Sequence, residues 1–298
     1  MALEATVTQR RSDGAPGRVR PPRRRKHVTM WIGVVLVAIP LLASALAPWL
    51  AKHDPNQVDL AKRLRPPSAE HWFGTDEVGR DIFARVLDGG RRSIGAGVGV
   101  VLLAGLTGTV IGALSGWFGG RLDLVVMRAM DVILAFPGLV LAMAMAVALG
   151  PGLFSSVLAV AFVRIPIYAR LVRSQILSLR EREFVDAAVA LGAGTPRILF
   201  RHLLPNSLAP LIVQATLDVG NAMLLTSTLS FLGLGVRAPA AEWGAMVSSG
   251  RVYLLDHWWY ATFPGAAILL TAMGFNVIGD GLRDLLDPRG RLRSVLPR

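Results

Sequence analysis

The sequence predicts an all-α integral membrane protein with six transmembrane helices, and three observations predict it. Charged residues make up 17% of the 298-residue chain, against about 25% in a soluble domain. The mean hydropathy is +0.50. Runs without a single charge recur along the chain, and a helix needs about 20 such residues to cross a bilayer core.

Val28–Leu50 is the first run and Ser93–Phe118 the second. Val132–Val163 is broken by "LGPG" at 149–152, which reads as two spans joined by a tight turn. Val219–Val236 and His257–Gly279 complete six. The domain reading follows: a basic tail at 1–27, a first span at 28–50, a loop at 51–92, a five-helix core at 93–283 and a tail at 284–298. "ALA" at 45–47 mimics a cleavage site, but the apolar run and its basic leader are too long for a signal peptide, so the first span is read as uncleaved.

The formal net charge is +12, and residues 1–27 carry eight Lys/Arg against two acids. That segment is too poor in apolar residues to fold alone. It reads as a disordered cytoplasmic tail obeying the positive-inside rule. No recognition fold accompanies it, so no nucleic-acid partner is expected. Both termini then face the cytoplasm, with 51–92, 149–152 and 237–258 outside and 119–128 and 173–206 inside.

Gly108, Gly112, Gly116 and Gly120 recur every fourth residue. Glycines so spaced let another helix approach one face closely, within the chain or from a second subunit. Among polar residues in the spans, Asp218, Asn221 and Asn276 are candidates for a pathway, because intramembrane polar groups usually face a bundle interior. Arg164 and Asp280 are placed near the cytoplasmic boundary.

Hydrolytic chemistry finds no support. The chain has no Gly-Lys pair and no lysine after Lys62, so the phosphate-cradling loop of an ATPase is absent. There is no GxSxG elbow and no cysteine. The five histidines, His27, His53, His71, His202 and His257, show no pair at metal-binding helical spacing. No metal and no cofactor are expected on this chain, and it is not expected to be an enzyme by itself.

The stretch "EFVDAAVALGAGTPRILFRHLLPN" at 183–206 stands between apolar runs. Phe184, Ala187, Ala188 and Leu191 follow the i, i+3, i+4, i+7 pattern of one apolar face. Gly192 stops the helix, Thr195 caps the next, Pro196 fits its first turn, and Pro205 ends it. Two short helices meeting at a corner suit a groove on a soluble partner, or pack back on the spans. Gly192 is read as a corner without room for a side chain.

These residues carry a resemblance. "DAAVALG", nine further residues and "HLLP" resemble the EAA–G–I-LP loop of permease subunits of bacterial ABC importers. Asp186 stands at the Glu position, Ala187 and Ala188 at the alanines, Gly192 at the glycine, and Leu204 and Pro205 at the closing pair. His202 replaces the usual Ile. "HWFGTDEVGRDIFARVLDGGRRS", "SFLGLGV", "EWGAMVSSGRVYL" and "FNVIGDGLRDLLDPR" are similar to the C-type permeases of dipeptide, oligopeptide and nickel importers.

The resemblance implies a type I ABC importer permease fold in the bacterial inner membrane, with 183–205 as a cytoplasmic coupling helix. It implies a homologous second permease, two ATP-binding subunits carrying ATP and magnesium, and an extracytoplasmic binding protein. Membrane lipid surrounds the assembly. Peptides are the implied cargo and nickel the alternative; a stand-alone carrier or a structural membrane protein are the rivals. His71, Trp72, Phe73, Glu242 and Trp243 are candidates for docking the binding protein, although the tryptophans suit an interfacial belt equally.

Overall fold

The computed structural model describes residues 24–286, with side chains from Thr29 onward. Except for their inner ends, the tails at 1–27 and 284–298 lie outside the described residues.

Helices account for nearly all the ordered backbone among the described residues: α1 (Arg24–Ala45), α2 (Ile82–Phe118), α3 (Gly120–Ala135), α4 (Gly138–Leu149), α5 (Leu153–Arg180), α6 (Glu183–Ala190), α7 (Thr195–Phe231), α8 (Trp243–Gly250) and α9 (Trp259–Leu286). Four of them, α2, α5, α7 and α9, are long and apolar enough to cross a membrane. The pair α3 and α4 makes a fifth crossing only if counted together, and the apolar part of α1, Thr29–Ala45, is shorter.

Several boundaries differ from the sequence reading, among them the fifth span, whose helix ends at Phe231 rather than Val236, and three differ for a clear backbone reason. The third run is no straight span, because α3 and α4 meet at 94°. Pro137 removes an N–H and pushes the preceding residue out of helical geometry, and Phe136 is extended at φ −87°, ψ 142°. The second span begins at Ile82 rather than Ser93, because Asp81 caps it by accepting from the Ala84 N–H at 2.7 Å. Pro205 does not end the second corner helix. Ile198–Leu203 is wound as a π-helix, and that wider turn lets the chain run through a proline into α7.

α2 is the central element, packed along α5. A Cβ at Gly108 would lie 2.5 Å from the Tyr168 Cβ, and one at Gly112 2.3 Å from the Ala169 carbonyl oxygen. At Gly116 the Arg173 oxygen would be 3.0 Å away. The glycine row therefore faces α5 of the same chain. Gly120 departs from it: it opens α3 at φ +56° with nothing within 4 Å, so it serves the turn. On the other flank, α7 meets α9 where a Cβ at Gly220 would be 2.8 Å from the Ala272 oxygen. The core between α2, α5 and α7 is built of small and branched residues, among them Val100, Ala104, Ala159, Val160 and Ala222. α1 lies along α9.

This packing makes a differential prediction. Gly112→Leu drives a side chain into backbone and is expected to destabilise by about 3 kcal/mol, the upper end for overpacking. Gly95→Ala, on the same helix but with nothing within 4 Å, is expected to be neutral or stabilising by up to about 1 kcal/mol. Thermal unfolding of both variants in mild detergent checks this.

Candidate functional site

Three places collect the singled-out residues: the corner at one end of the bundle, a charged cluster at mid-depth, and the loops at the other end.

At the corner, α6 closes in a Schellman motif. The Ala193 N–H donates to Ala188 O at 3.0 Å and the Gly192 N–H to Val189 O at 2.9 Å. Gly192 stands at φ +79°, where a Cβ is penalised, but nothing lies within 4 Å of the place a Cβ would take. The constraint on Gly192 is thus conformational, not a shortage of room. Gly194, not Thr195, is the N-cap of α7, and Pro196 falls in its first turn. The apolar face also divides differently than its spacing suggests. Val185 and Ala188 turn inward with Ile198, Leu199 and Leu203 against Ala113, Val172 and Ile176 at the ends of α2 and α5. Phe184, Ala187, Leu191 and, on α7, Phe200 face outward; Leu191 is 88% exposed. Asp186, Pro196 and Pro205 are exposed and Leu204 is half-buried. The seat beneath is fastened by polar contacts. Arg180 Nη1 donates to the Gly116 and Trp117 carbonyls at 3.2 and 3.3 Å, occupying the orphan end of α2. Arg173 pairs with Asp123.

At mid-depth, Arg164 Nη2 lies 2.6 Å from Asp218 Oδ1. The Tyr168 hydroxyl donates to Asp218 Oδ2 at 3.1 Å. Arg164 is eleven residues into α5, about 16 Å along it at 1.5 Å per residue. Asp218 and Tyr168 are fully buried, and the Arg164 Nε is buried without a hydrogen-bond partner. Asn221 and Asn276 do not join this cluster. Asn221 is exposed and its Nδ2 donates to Leu217 O at 3.3 Å; Asn276 on α9 is half-buried, and Asp280 is exposed.

At the loop end, most of the residues proposed for docking are inside. Glu242 is 2% exposed and caps α8, accepting from the Gly244 and Ala245 N–H groups at 3.0 and 2.8 Å and from the Ser93 hydroxyl at 3.0 Å. Trp243 is 1% exposed, and its Nε1 donates to Val86 O at 2.8 Å. His71 is buried, with Nδ1 2.8 Å from Asp81 Oδ2. Phe73 is half-buried and stacks on Phe263 at 3.9 Å between centroids. Glu242, Trp243 and His71 are buried and hold the loops to the helices, whereas Phe73 is partly and Trp72 about half exposed. Periodicity could not find a further knot. Asp76 accepts from Arg80 Nε at 2.6 Å, and Arg85 Nη1 donates to Pro55 O and Pro239 O at 2.9 and 3.2 Å. The only trace of it in the sequence is the density of acids and arginines in "GTDEVGRDIFAR".

The chain is similar to known proteins. The family model described as binding-protein-dependent transport system inner membrane component matches residues 108–292. A second, the N-terminal TM domain of oligopeptide transport permease C, matches residues 23–67. The chain is 58% identical over 255 residues to the probable D,D-dipeptide transport system permease protein DdpC of Escherichia coli strain K12, covering 86% of each chain. It is 45% identical to the dipeptide transport system permease protein DppC of Alkalihalophilus pseudofirmus, over 92% of this chain and 90% of that one. To the oligopeptide transport system permease protein OppC of Bacillus subtilis it is 41% identical, over 90% and 88%. An inward-facing structure of the MetNI methionine ABC transporter aligns with a TM-score of 0.48 at 18% identity, over 65% of this chain and 94% of its own. The chain belongs to the family of binding-protein-dependent transport system inner membrane components and is a multi-pass membrane protein.

Proposed function

We propose that this chain forms half of the translocation pathway of an ATP-driven importer of di- or oligopeptides in the bacterial inner membrane. The observation that carries the reading is the family match together with relatives named for dipeptide and oligopeptide transport. A homologous permease would complete the pathway, two ATPase subunits would hold ATP and magnesium, and an extracytoplasmic protein would deliver the peptide. In this reading the chain crosses six times, with α1 as the first crossing and the pair α3 and α4 as the third. Both termini and the corner face the cytoplasm. α6 and the first turns of α7 are then the coupling element. Phe184, Ala187 and Leu191 are the surface it offers the ATPase, since they are apolar, exposed and held on a rigid two-helix corner. Asp218 and Arg164 are the polar groups at pathway depth.

The partners are tested by purifying the chain from native membranes in mild detergent. A second permease and P-loop ATPases should accompany it, and repeated recovery alone would overturn the assembly. Uptake of labelled dipeptide into vesicles, dependent on ATP and the binding protein, tests the cargo.

Leu191→Asp alters an exposed side chain, so stability should move by no more than about 0.5 kcal/mol. ATP-dependent uptake should fall at least tenfold; unchanged uptake would sink the coupling role.

At Gly192, a conformational constraint ranks the variants. Asn, which tolerates left-handed backbone, should keep more transport than Ala. A steric constraint predicts the reverse order, and uptake assays decide between them.

Asp218→Asn leaves the Arg164 charge without its counter-ion and should destabilise by about 3–5 kcal/mol. The double change Arg164→Met, Asp218→Leu removes both charges and should recover most of that in thermal unfolding. Normal transport by the recovered double variant would make the pair structural rather than part of the pathway.

A further inference from the structure

The loop between α1 and α2 brings together two histidines that stand at positions 53 and 71 in the sequence. Their rings lie 4.7 Å apart between centroids and 34° from parallel. His53 is half-buried and His71 buried. The two carboxylate oxygens of Asp81 are both engaged, one by the Ala84 N–H at 2.7 Å and the other by His71 Nδ1 at 2.8 Å. A carboxylate only accepts, so His71 carries a proton on Nδ1, and in the neutral tautomer that this selects the lone pair is at Nε2.

That Nε2 is buried and has no hydrogen-bond partner, a costly state for a polar atom. The nearest carboxylate oxygen, Glu70 Oε1, is 3.8 Å away. Lys62, 2.7 Å from the same oxygen, holds the Glu70 carboxyl below the usual carboxylate range through that hydrogen bond. One donor atom from each of His53, His71 and Asp81 lies within 4.8 Å of the others. The groups line a polar recess of about 40 Å³ shared with Asp54 and Asp59.

We propose that this recess is a binding site for a divalent first-row transition ion, with Zn²⁺ as the natural occupant. His71 Nε2 and a ring nitrogen of His53 are the anchoring ligands, because imidazole suits zinc, nickel and copper. Glu70, with Oε1 3.8 Å from His71 Nε2, is the carboxylate beside the third position. Asp81 is the positioning residue: a carboxylate on the far nitrogen of a ligating histidine fixes its tautomer and raises its basicity. Tetrahedral bonds of about 2.05 Å need ring nitrogens about 3.3 Å apart, so the donor atoms, which lie within 4.8 Å of one another here, would close up on the ion. The ion would clip the exit of α1 to the cap of α2, in a loop that has no cysteine for a disulfide. It is a resident of the loop whatever cargo the assembly carries.

The test uses the full chain with its co-purifying subunits, isolated through a histidine-free tag and stripped with a chelator. Equilibrium dialysis with Zn²⁺ should show one high-affinity ion per chain, and Co²⁺ should give the intense visible bands of a tetrahedral site. His53→Ala should lower affinity at least tenfold, since even outer-shell changes cost 10–100-fold, and His257→Ala should not. Zinc should also slow proteolysis within residues 51–81 of the wild-type chain and not of the variant. His53→Gln repeats the comparison should the alanine variant lose thermal stability without metal. Absence of a saturable site, or equal zinc affinity in wild type and both His53 variants, overturns the proposal.

Discussion

The Arg164–Asp218 pair sets the terms for the packing around it. A carboxylate buried at mid-span is tolerated only with a counter-ion and filled hydrogen bonds, and Asp218 draws both from α5. Arg164 supplies the charge and Tyr168, one turn on, the hydroxyl. Tyr168 can stand there only because Gly108 on α2 lacks the Cβ that would lie 2.5 Å from the tyrosine Cβ. The glycine row and the ion pair are therefore one device. Further along α5, Arg173 pairs with Asp123 and Ile176 packs beneath the corner. Different faces of one helix thus carry the contacts to α2, α3, α7 and the corner.

The two ends of the bundle solve opposite problems. At the loop end charge is taken inside and neutralised: Asp76 with Arg80 and Arg85, Glu242 with Ser93 and two N–H groups, His71 with Asp81. Paired buried polar groups fix a single arrangement, so these contacts hold the loops in register on the helix ends. At the corner end the polar contacts fasten only the seat, and Phe184, Val189, Leu191 and Phe200 are left uncovered. Exposed apolar side chains on a well-held element are what the proposed contact with a partner needs.

What was legible in the sequence is what adds up locally. Hydropathy is a sum over neighbours, so the apolar runs were evident without any knowledge of contacts. The glycine spacing and the stop at Gly192 are likewise local. What escaped depends on pairs far apart in the chain. Nothing near Arg164 announces Asp218, and nothing near His53 announces His71. Glu242 and Trp243 looked like surface groups because a charge and an indole usually are; their partners, Ser93 and Val86, are about 150 positions away. Proline misled in both directions. Pro137 breaks a run that hydropathy reads as continuous, while Pro205 sits in a helix that a π-turn carries past it. The outcome depends on whether the neighbouring turn can widen, which composition does not encode.

The continuity through Pro205 bears on how force would pass along this chain in the proposed cycle. Had the helix ended there, the corner would join the spans by a joint, and a push on α6 would dissipate in it. Instead α7 runs from Thr195 to Phe231 over 37 residues, about 55 Å of helix. It carries the corner's second half at one end and Asp218 part-way along. Near its far end, Ser248 of α8 donates to Phe231 O at 2.7 Å. Displacement of the corner is then displacement of Asp218 relative to Arg164 on α5, unless both helices move together. The Gly108–Tyr168 contact sets α5 against α2 by backbone packing, whereas α5 and α7 are joined also by the Arg164–Asp218 pair and the Tyr168 hydrogen bond. If the corner couples as proposed, any movement of α7 along α5 would have to load that buried pair, which cannot part without leaving a charge uncompensated.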